Sequence, residues 1–315
     1  MKIVRLDVGT LGADIDLSPV RTLGETDIYE NTAPDAVVPR LQGADVAVLN
    51  KIKMTAEVLS ALPTLKLICV TATGFDNVDT AYCAAHGVAL CNVPAYSTDS
   101  VAQMTLAMVL SLASHLPAYR EYVHSGAYSA SGIATHLTPV FHEVAGKTWG
   151  VIGAGHIGGK VADVAAAMGC RVLVSRRTTD PKYETVDIDT LCRTADIITV
   201  HLPLSDATRG ILSRERIASM KASAIVVNVA RGAVTDEAAL ADAVRSGHLG
   251  GLGVDTFSVE PFGKDHPFAG ILDLDNVCLT PHVAWGSFES RSRCVAVVGE
   301  NIKRFFAGDP QNRIV

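Results

Sequence analysis

Apolar positions along the chain fall into two series of short runs, separated by stretches whose apolar residues recur at helical spacing. In the first series "KIVRLDV" (2–8), "VAVLN" (46–50), "LKLICVTA" (65–72) and "VALCNV" (88–93) read as strands, with helical patterns at 55–62 and 78–86 between them. A stretch at 97–116 is long enough for about five helical turns, with Ser97 or Thr98 as its N-cap. From Lys147 a second series predicts strands at 148–153, 171–175, 196–202, 224–230, 251–257 and 276–280. Helical patterns stand at 158–169 and 236–247, and a last helix at 287–308. The runs lack clean polar alternation, which suits parallel strands covered by helices on both faces. Residues 117–145 have weak periodicity and several His, Tyr and Ser, and predict an extended arm rather than a core element. The pattern as a whole predicts two doubly wound α/β domains, with a ligand cleft outside the carboxyl ends of their strands.

Composition narrows the partners. The chain has 315 residues, 48% of them hydrophobic, with a formal net charge of −6 and no block of Lys or Arg. That argues against nucleic acid or an anionic membrane surface, while a small anionic ligand needs only a local positive pocket. Seven cysteines (Cys69, Cys83, Cys91, Cys170, Cys192, Cys278, Cys294) are scattered, odd in number and never in a C-x-x-C pair, so reduced, buried thiols are expected rather than disulfides or a metal site. Asp7 interrupts the only N-terminal apolar stretch, and no run approaches the ~18 apolar residues of a membrane span. A soluble, cytoplasmic protein is expected.

Gly153-Ala154-Gly155-His156-Ile157-Gly158 matches G-x-G-x-x-G between a predicted strand and a predicted helix. Glycines at these positions permit a tight turn, backbone approach to a pyrophosphate and close helix–strand packing, with the helix N-terminus aimed at the phosphates. At the end of the next strand, Ser175-Arg176-Arg177 stands where an NAD enzyme offers an acid to the adenosine ribose. Guanidinium groups pair with a 2′-phosphate, so NADP(H) is favoured, NAD(H) remaining possible if these are solvated surface arginines.

Three further segments place a polar residue after an apolar run: Arg231 in "NVARGAVTDEAAL", Asp255 and Glu260 in "GVDTFSVEP", and His282 in "TPHVAW". Singly each reads as a surface charge, loop decoration or a structural histidine. Together they form a set suited to reducing a 2-keto acid. Arg231 would hold the carboxylate and polarise the ketone, His282 would donate the proton, and Glu260 would orient that imidazole.

These segments resemble, in order and over nearly the whole chain, those of the D-isomer-specific 2-hydroxyacid dehydrogenases, with "TATGFDNVD" (71–79) similar to the family's carboxylate-binding turn. The resemblance implies a Rossmann nucleotide-binding domain at 99–286 and a smaller, flavodoxin-like substrate domain at 1–98 and 287–315. It implies catalytic Arg231, Glu260 and His282, and Asp255 near the nicotinamide carboxamide. Ala72, Thr73 and Gly74 would bind the substrate carboxylate through backbone amides, Thr73 also touching the cofactor. His156 and Ile157 would lie at the pyrophosphate, and Leu202, Pro203, Val229 and Ala230 would line the cofactor. "NVPAYSTDSVAQ" and "HVAWGSFESR" look most like the glycerate dehydrogenase/hydroxypyruvate reductase branch, which implies hydroxypyruvate and glyoxylate as substrates. Trp285 would then wall the pocket or serve packing, and Lys51 would add positive charge at its mouth or stand as an ordinary surface lysine. Family members are usually homodimers joined through the nucleotide domain, which suits the arm at 117–145. Dehydrogenases for pyruvate, phenylpyruvate or phosphoglycerate are alternatives, as is a non-catalytic, nucleotide-sensing corepressor.

Overall fold

The apolar runs assemble into two wholly parallel sheets, one in each of two units. The computed structural model describes residues 1–315, and these divide into Met1–Ser97 with Gly286–Val315, and Thr98–Trp285. In the first unit, β1 (Lys2–Arg5), β2 (Glu25–Ile28), β3 (Val46–Leu49), β4 (Leu67–Val70) and β5 (Ala89–Cys91) lie in the order β2-β1-β3-β4-β5. That is the flavodoxin-like order. Strands β3 and β4 are buried along their whole length, which explains why they read as continuous apolar runs. The helix Phe288–Phe306 belongs to this unit and packs on β4 and on the short helix Ser18–Arg21. Residues beyond it bridge the edge of β5 in antiparallel fashion at Cys91 and Arg313.

The second unit has seven strands: β6 (Thr148–Ile152), β7 (Arg171–Ser175), β8 (Glu184–Thr185), β9 (Ile197–Val200), β10 (Ile225–Asn228), β11 (Gly251–Val254) and β12 (Val277–Leu279). Their order is β12-β11-β10-β9-β6-β7-β8, the doubly wound Rossmann arrangement with one strand added. Helices Thr98–Ala113 and His156–Ala167 cover one face, where Val101, Met108, Val161, Ala165 and Trp149 form a shared core. Helices Ile188–Thr194, Arg214–Ala218 and Glu237–Arg245 cover the other, around Leu191, Ile217, Leu240 and Phe268. Trp149, fully buried, donates its indole N–H to Thr199 Oγ1 at 3.2 Å, so no polar atom of that ring is stranded in the core. The strand order reverses between β6 and β9, and their carboxyl ends therefore flank the crevice where ligands bind in such sheets.

The segment 117–145 differs in part from the extended arm expected of it. Its beginning is helical, Leu116–His124 and Ala127–Ser131, with no buried residue in either helix. His115, in the left-handed region at φ 50°, separates the first of these from the helix that ends at Ala113. Pro117 stands in the first turn, where its missing N–H is tolerated. The remainder is irregular and exposes Ile133, Leu137, Val140 and Phe141. All seven cysteines are free thiols, six of them buried.

Candidate active site

The turn after β6 is shaped by its glycines. Gly153 has φ 93°, and a side chain there would strike Leu202 and the backbone of His201 at the end of β9. A Cβ at Gly158 would lie 2.1 Å from the carbonyl oxygen of Gly153, so only glycine lets the helix start this close to the strand. Gly155 faces open space, with nothing within 4 Å of where its Cβ would stand. It is also the N-cap of the helix His156–Ala167, and no side chain accepts from that helix's first turn. The helices starting after Thr55, Asp79, Asp187, Ser213, Asp236 and Ser287 are each capped by a side-chain oxygen. Here the first amides, at exposed His156 and half-buried Ile157, are left for an external acceptor, and they fit the pyrophosphate of a dinucleotide.

Around this turn, Pro203 is exposed, Leu202 is half-buried, and Val229 and Ala230 are buried at the end of β10. Ser175 ends β7, and Arg176 and Arg177 follow it at the surface. Arg176 Nη1 donates to Asp180 at 2.7 Å, and the same carboxylate accepts from the backbone N–H of Lys182 and Tyr183. These bonds and the Arg176 charge hold the Asp180 carboxyl below its usual range against its partial desolvation, the Lys182 amide contributing most. Asp180 thus ties the 176–183 loop together and holds one edge of the guanidinium, a role that a loop acid gives no sign of in the sequence.

The chemistry-bearing side chains sit at the carboxyl ends of β10, β11 and β12. Arg231 follows β10 in a turn braced by buried Asn228, whose amide donates to Arg231 O at 3.0 Å and accepts from Ala230 N–H at 3.0 Å. The guanidinium Nη1 donates to Ala230 O at 2.8 Å. Glu260 lies beyond β11 and accepts from the backbone N–H of Phe257 at 3.0 Å. Its carboxylate meets Nδ1 of His282 at 2.7 and 3.0 Å, a bidentate contact in which the imidazole donates. The Arg231–Gly232 turn and the Glu260 segment are in direct contact, since a Cβ at Gly232 would lie 2.2 Å from the carbonyl carbon of Phe257.

His282 takes φ 55°, a left-handed conformation that costs about 1–2 kcal/mol in a residue with a Cβ. Neighbours hold it there. Asp255, buried at the end of β11, accepts from Val283 N–H and Ala284 N–H at 2.9 Å each and from the Thr280 hydroxyl at 2.5 Å. Burial pushes the Asp255 carboxyl up, and these bonds and the His282 charge oppose that. Trp285 donates its indole N–H to the carbonyl of His282 at 2.9 Å. Asp255 and Trp285 therefore both fasten the His282 loop, which neither "VDTF" nor "HVAW" announces.

In the other unit, Lys51 is exposed, and its backbone N–H donates to Asp7 at 2.7 Å. Ala72, Thr73 and Gly74 form the turn after β4. Thr73 Oγ1 donates to Val93 O at 2.9 Å, and the Asn92 amide donates to Thr73 O at 2.7 Å, so Thr73 is held through both its hydroxyl and its carbonyl.

The sequence pattern of the family described as D-isomer specific 2-hydroxyacid dehydrogenase, NAD binding domain, matches residues 106–284. A glycerate dehydrogenase of Methylorubrum extorquens is 38% identical over 285 residues, 90% of each chain. A hydroxypyruvate reductase of Blautia hydrogenotrophica is 34% identical over 321 residues, 99% of each. Among solved structures, a D-lactate dehydrogenase of Aquifex aeolicus complexed with NAD and lactic acid superposes with TM-score 0.87 at 28% identity, covering 98% of this chain and 96% of that one. An acyclic imino acid reductase in complex with NADPH and D-Arg superposes with TM-score 0.87 at 27% identity over the full length of both.

Proposed function

The chain belongs to the D-isomer specific 2-hydroxyacid dehydrogenase family, in its glycerate dehydrogenase/hydroxypyruvate reductase branch, and from that premise we propose that it reduces hydroxypyruvate and glyoxylate to the D-2-hydroxy acid, preferring NADPH. The observation that carries the proposal is the Glu260–His282 pair on the loops after β11 and β12, with the Arg231 turn packed against the Glu260 segment. A nicotinamide cofactor, when bound, would supply the hydride. Gly153, Gly155, His156, Ile157 and Gly158 would hold its pyrophosphate, with Ser175, Arg176 and Arg177 toward the adenosine end and Leu202, Pro203, Val229 and Ala230 along its length.

His282 donates through Nδ1 to Glu260, which leaves the acid–base work to Nε2. Nε2 gives its proton to the oxygen of the ketone as that oxygen gains charge, and Glu260 stabilises the imidazolium before the transfer and fixes the ring afterwards. Arg231 offers a planar fork to the substrate carboxylate and to the ketone oxygen. Taken by itself, the Ala72–Gly74 turn of the other unit offers backbone amides of the kind that suit a carboxylate, and that unit also carries the exposed cation Lys51. Trp285, half-buried and bonded to the His282 carbonyl, limits the room for bulky keto acids. The Arg176 guanidinium supports the NADPH preference, since one edge is anchored by Asp180 at 2.7 Å and the group is thereby pre-oriented for a 2′-phosphate.

Loss of reduced-nicotinamide absorbance, measured with hydroxypyruvate, glyoxylate, pyruvate and phenylpyruvate and with both NADH and NADPH, tests this reading. Highest kcat/KM with hydroxypyruvate or glyoxylate and NADPH is expected, and a clear preference for phenylpyruvate or pyruvate would replace the substrate assignment. The exposed apolar residues Leu137, Val140 and Phe141 support a homodimer closed through the arm, which a solution mass of twice 33.2 kDa would bear out and a monomer mass would refute. Buried free thiols suit a cytoplasmic setting.

A further inference from the structure

A second carboxylate–imidazole pair lies in the same unit and takes no part in the scheme above. Glu237, the first residue of the helix Glu237–Arg245, is a buried acid. Its Oε1 accepts from the backbone N–H of Ser258 at 2.9 Å. Its Oε2 accepts from the Ser258 hydroxyl and from Nε2 of His266 at 3.0 Å. The other ring nitrogen of His266, Nδ1, accepts from the backbone N–H of Phe268 at 3.2 Å. Because Nδ1 accepts a bond, it carries no proton, and the ring donates through Nε2–H to Glu237. The imidazole is further wedged among Phe257, Phe262 and Phe268.

The position of this knot gives it meaning. Ser258 stands between Phe257, whose N–H holds Glu260, and Glu260 itself. Glu237 Oε1 is also 2.6 Å from where a Cβ of Gly232 would stand, directly behind Arg231. One buried carboxylate is therefore bonded to the segment carrying Glu260, which leads on to His282, and packs closely against the turn carrying Arg231. We propose that Glu237, with His266 and Ser258, is a positioning residue that sets where the Glu260 carboxylate meets His282, and so governs the proton transfer without touching the substrate. The proposal rests on the assignment of Glu260 and His282 as the acid–base pair.

Glu237→Gln tests it, because the change keeps the shape and removes one acceptor. An amide nitrogen facing Ser258 N–H or His266 Nε2–H meets a donor that cannot accept, so the knot must shift. The expected result is a folded protein with unchanged NADPH affinity by fluorescence titration. Its kcat for keto-acid reduction should fall by about 10–100-fold, the size of effect common for residues that support a site residue from outside it. The pH profile of kcat should move in the same direction as in Glu260→Gln. His266→Gln, which keeps a donor toward Glu237, should recover most of the activity that His266→Leu loses. Wild-type kcat and pH profile in Glu237→Gln would overturn the proposal, as would a fall in kcat with an unmoved pH profile or a matching loss of NADPH binding. If Glu237→Gln does not fold, Ser258→Ala removes one of the three bonds and is judged by the same criteria. Should Glu260→Gln leave the profile unmoved in a folded protein, the parent assignment fails, and this one with it. If only Glu237→Gln is silent, this one fails alone.

Discussion

Glu260 and His282 meet at 2.7 Å with side chains 29% and 20% exposed, whereas Glu237 and His266 meet at 3.0 Å with side chains 8% and 6% exposed. The residue types are the same, and the two arrangements suit opposite tasks. In the more exposed pair the carboxylate engages Nδ1, and the proposed mechanism assigns the proton transfer to Nε2. In the buried pair the carboxylate engages Nε2 and a backbone amide engages Nδ1, so both nitrogens are committed inside the protein. Which ring nitrogen the acid holds, and what reaches the other, separates an acid–base pair from an anchoring one. A third imidazole extends the series. His201, beside the fingerprint turn, has both ring nitrogens buried and without a protein partner, and burial pushes it down to about 3.

The largest expected effect is at the exposed pair. His282→Gln should lower kcat for reduction by about 10²–10⁴-fold, the usual contribution of a positioned general acid, with cofactor affinity kept. A loss of that size at His266 instead would reverse the roles of the two pairs. Next comes Arg231→Lys, which keeps the charge and loses the planar fork. Its kcat/KM should fall by about 10²-fold or more, comparable to removing one donor at a developing oxyanion, and near-wild-type kinetics would remove Arg231 from the site. Arg176→Asp should shift the NADPH/NADH preference by roughly 10–100-fold, since a hydrogen bond to a charged group is worth roughly 1.5–3 kcal/mol. An unchanged ratio would make Arg176 a partner of Asp180 and nothing more.

The smallest effect concerns His201. An unfolded chain binds a proton there below about 6.5, while the folded chain takes it up only near 3. The residue's contribution to stability is therefore complete above pH 6.5 and is lost progressively as pH falls toward 3. The slope is up to about 1.4 kcal/mol per pH unit. Denaturant unfolding at pH 7 and pH 5 should show a smaller acid loss in His201→Leu than in the parent. Equal losses would mean that this imidazole has a proton-accepting partner in solution.

What the sequence discloses, and what it hides, follows from the range of the interactions. Runs such as "VAVL" and "DIITV" are legible because both faces of a central parallel strand are buried. β2, "ETDI", and the two-residue β8 are edge strands with no fully buried residue and leave no apolar run to notice. The helix Leu116–His124 is short, has a proline in its first turn and packs no residue into a core, so its apolar positions do not mark it as a core element. At the site, the fingerprint glycines announce themselves because local sterics demand them. The supporting contacts do not: Asp255 and Arg176 stand out, but their links to Val283, Ala284 and Asp180 do not, and Glu237 to His266 joins two residues with nothing to mark them, across separate elements. "DEAAL" reads as a capped helix start, which it is, and nothing in it tells that its Glu is buried.

Whether His282, held by Glu260 through Nδ1, carries the proton of the reaction is tested most directly by kcat measured against pH in both directions, keto-acid reduction and hydroxy-acid oxidation, on one preparation. Reduction draws on the protonated ring and oxidation on the neutral one, so the reductive rate should fall and the oxidative rate rise as pH increases through one shared transition, absent in His282→Gln. Two rates that titrate in the same sense, or a transition that survives the substitution, would contradict that assignment.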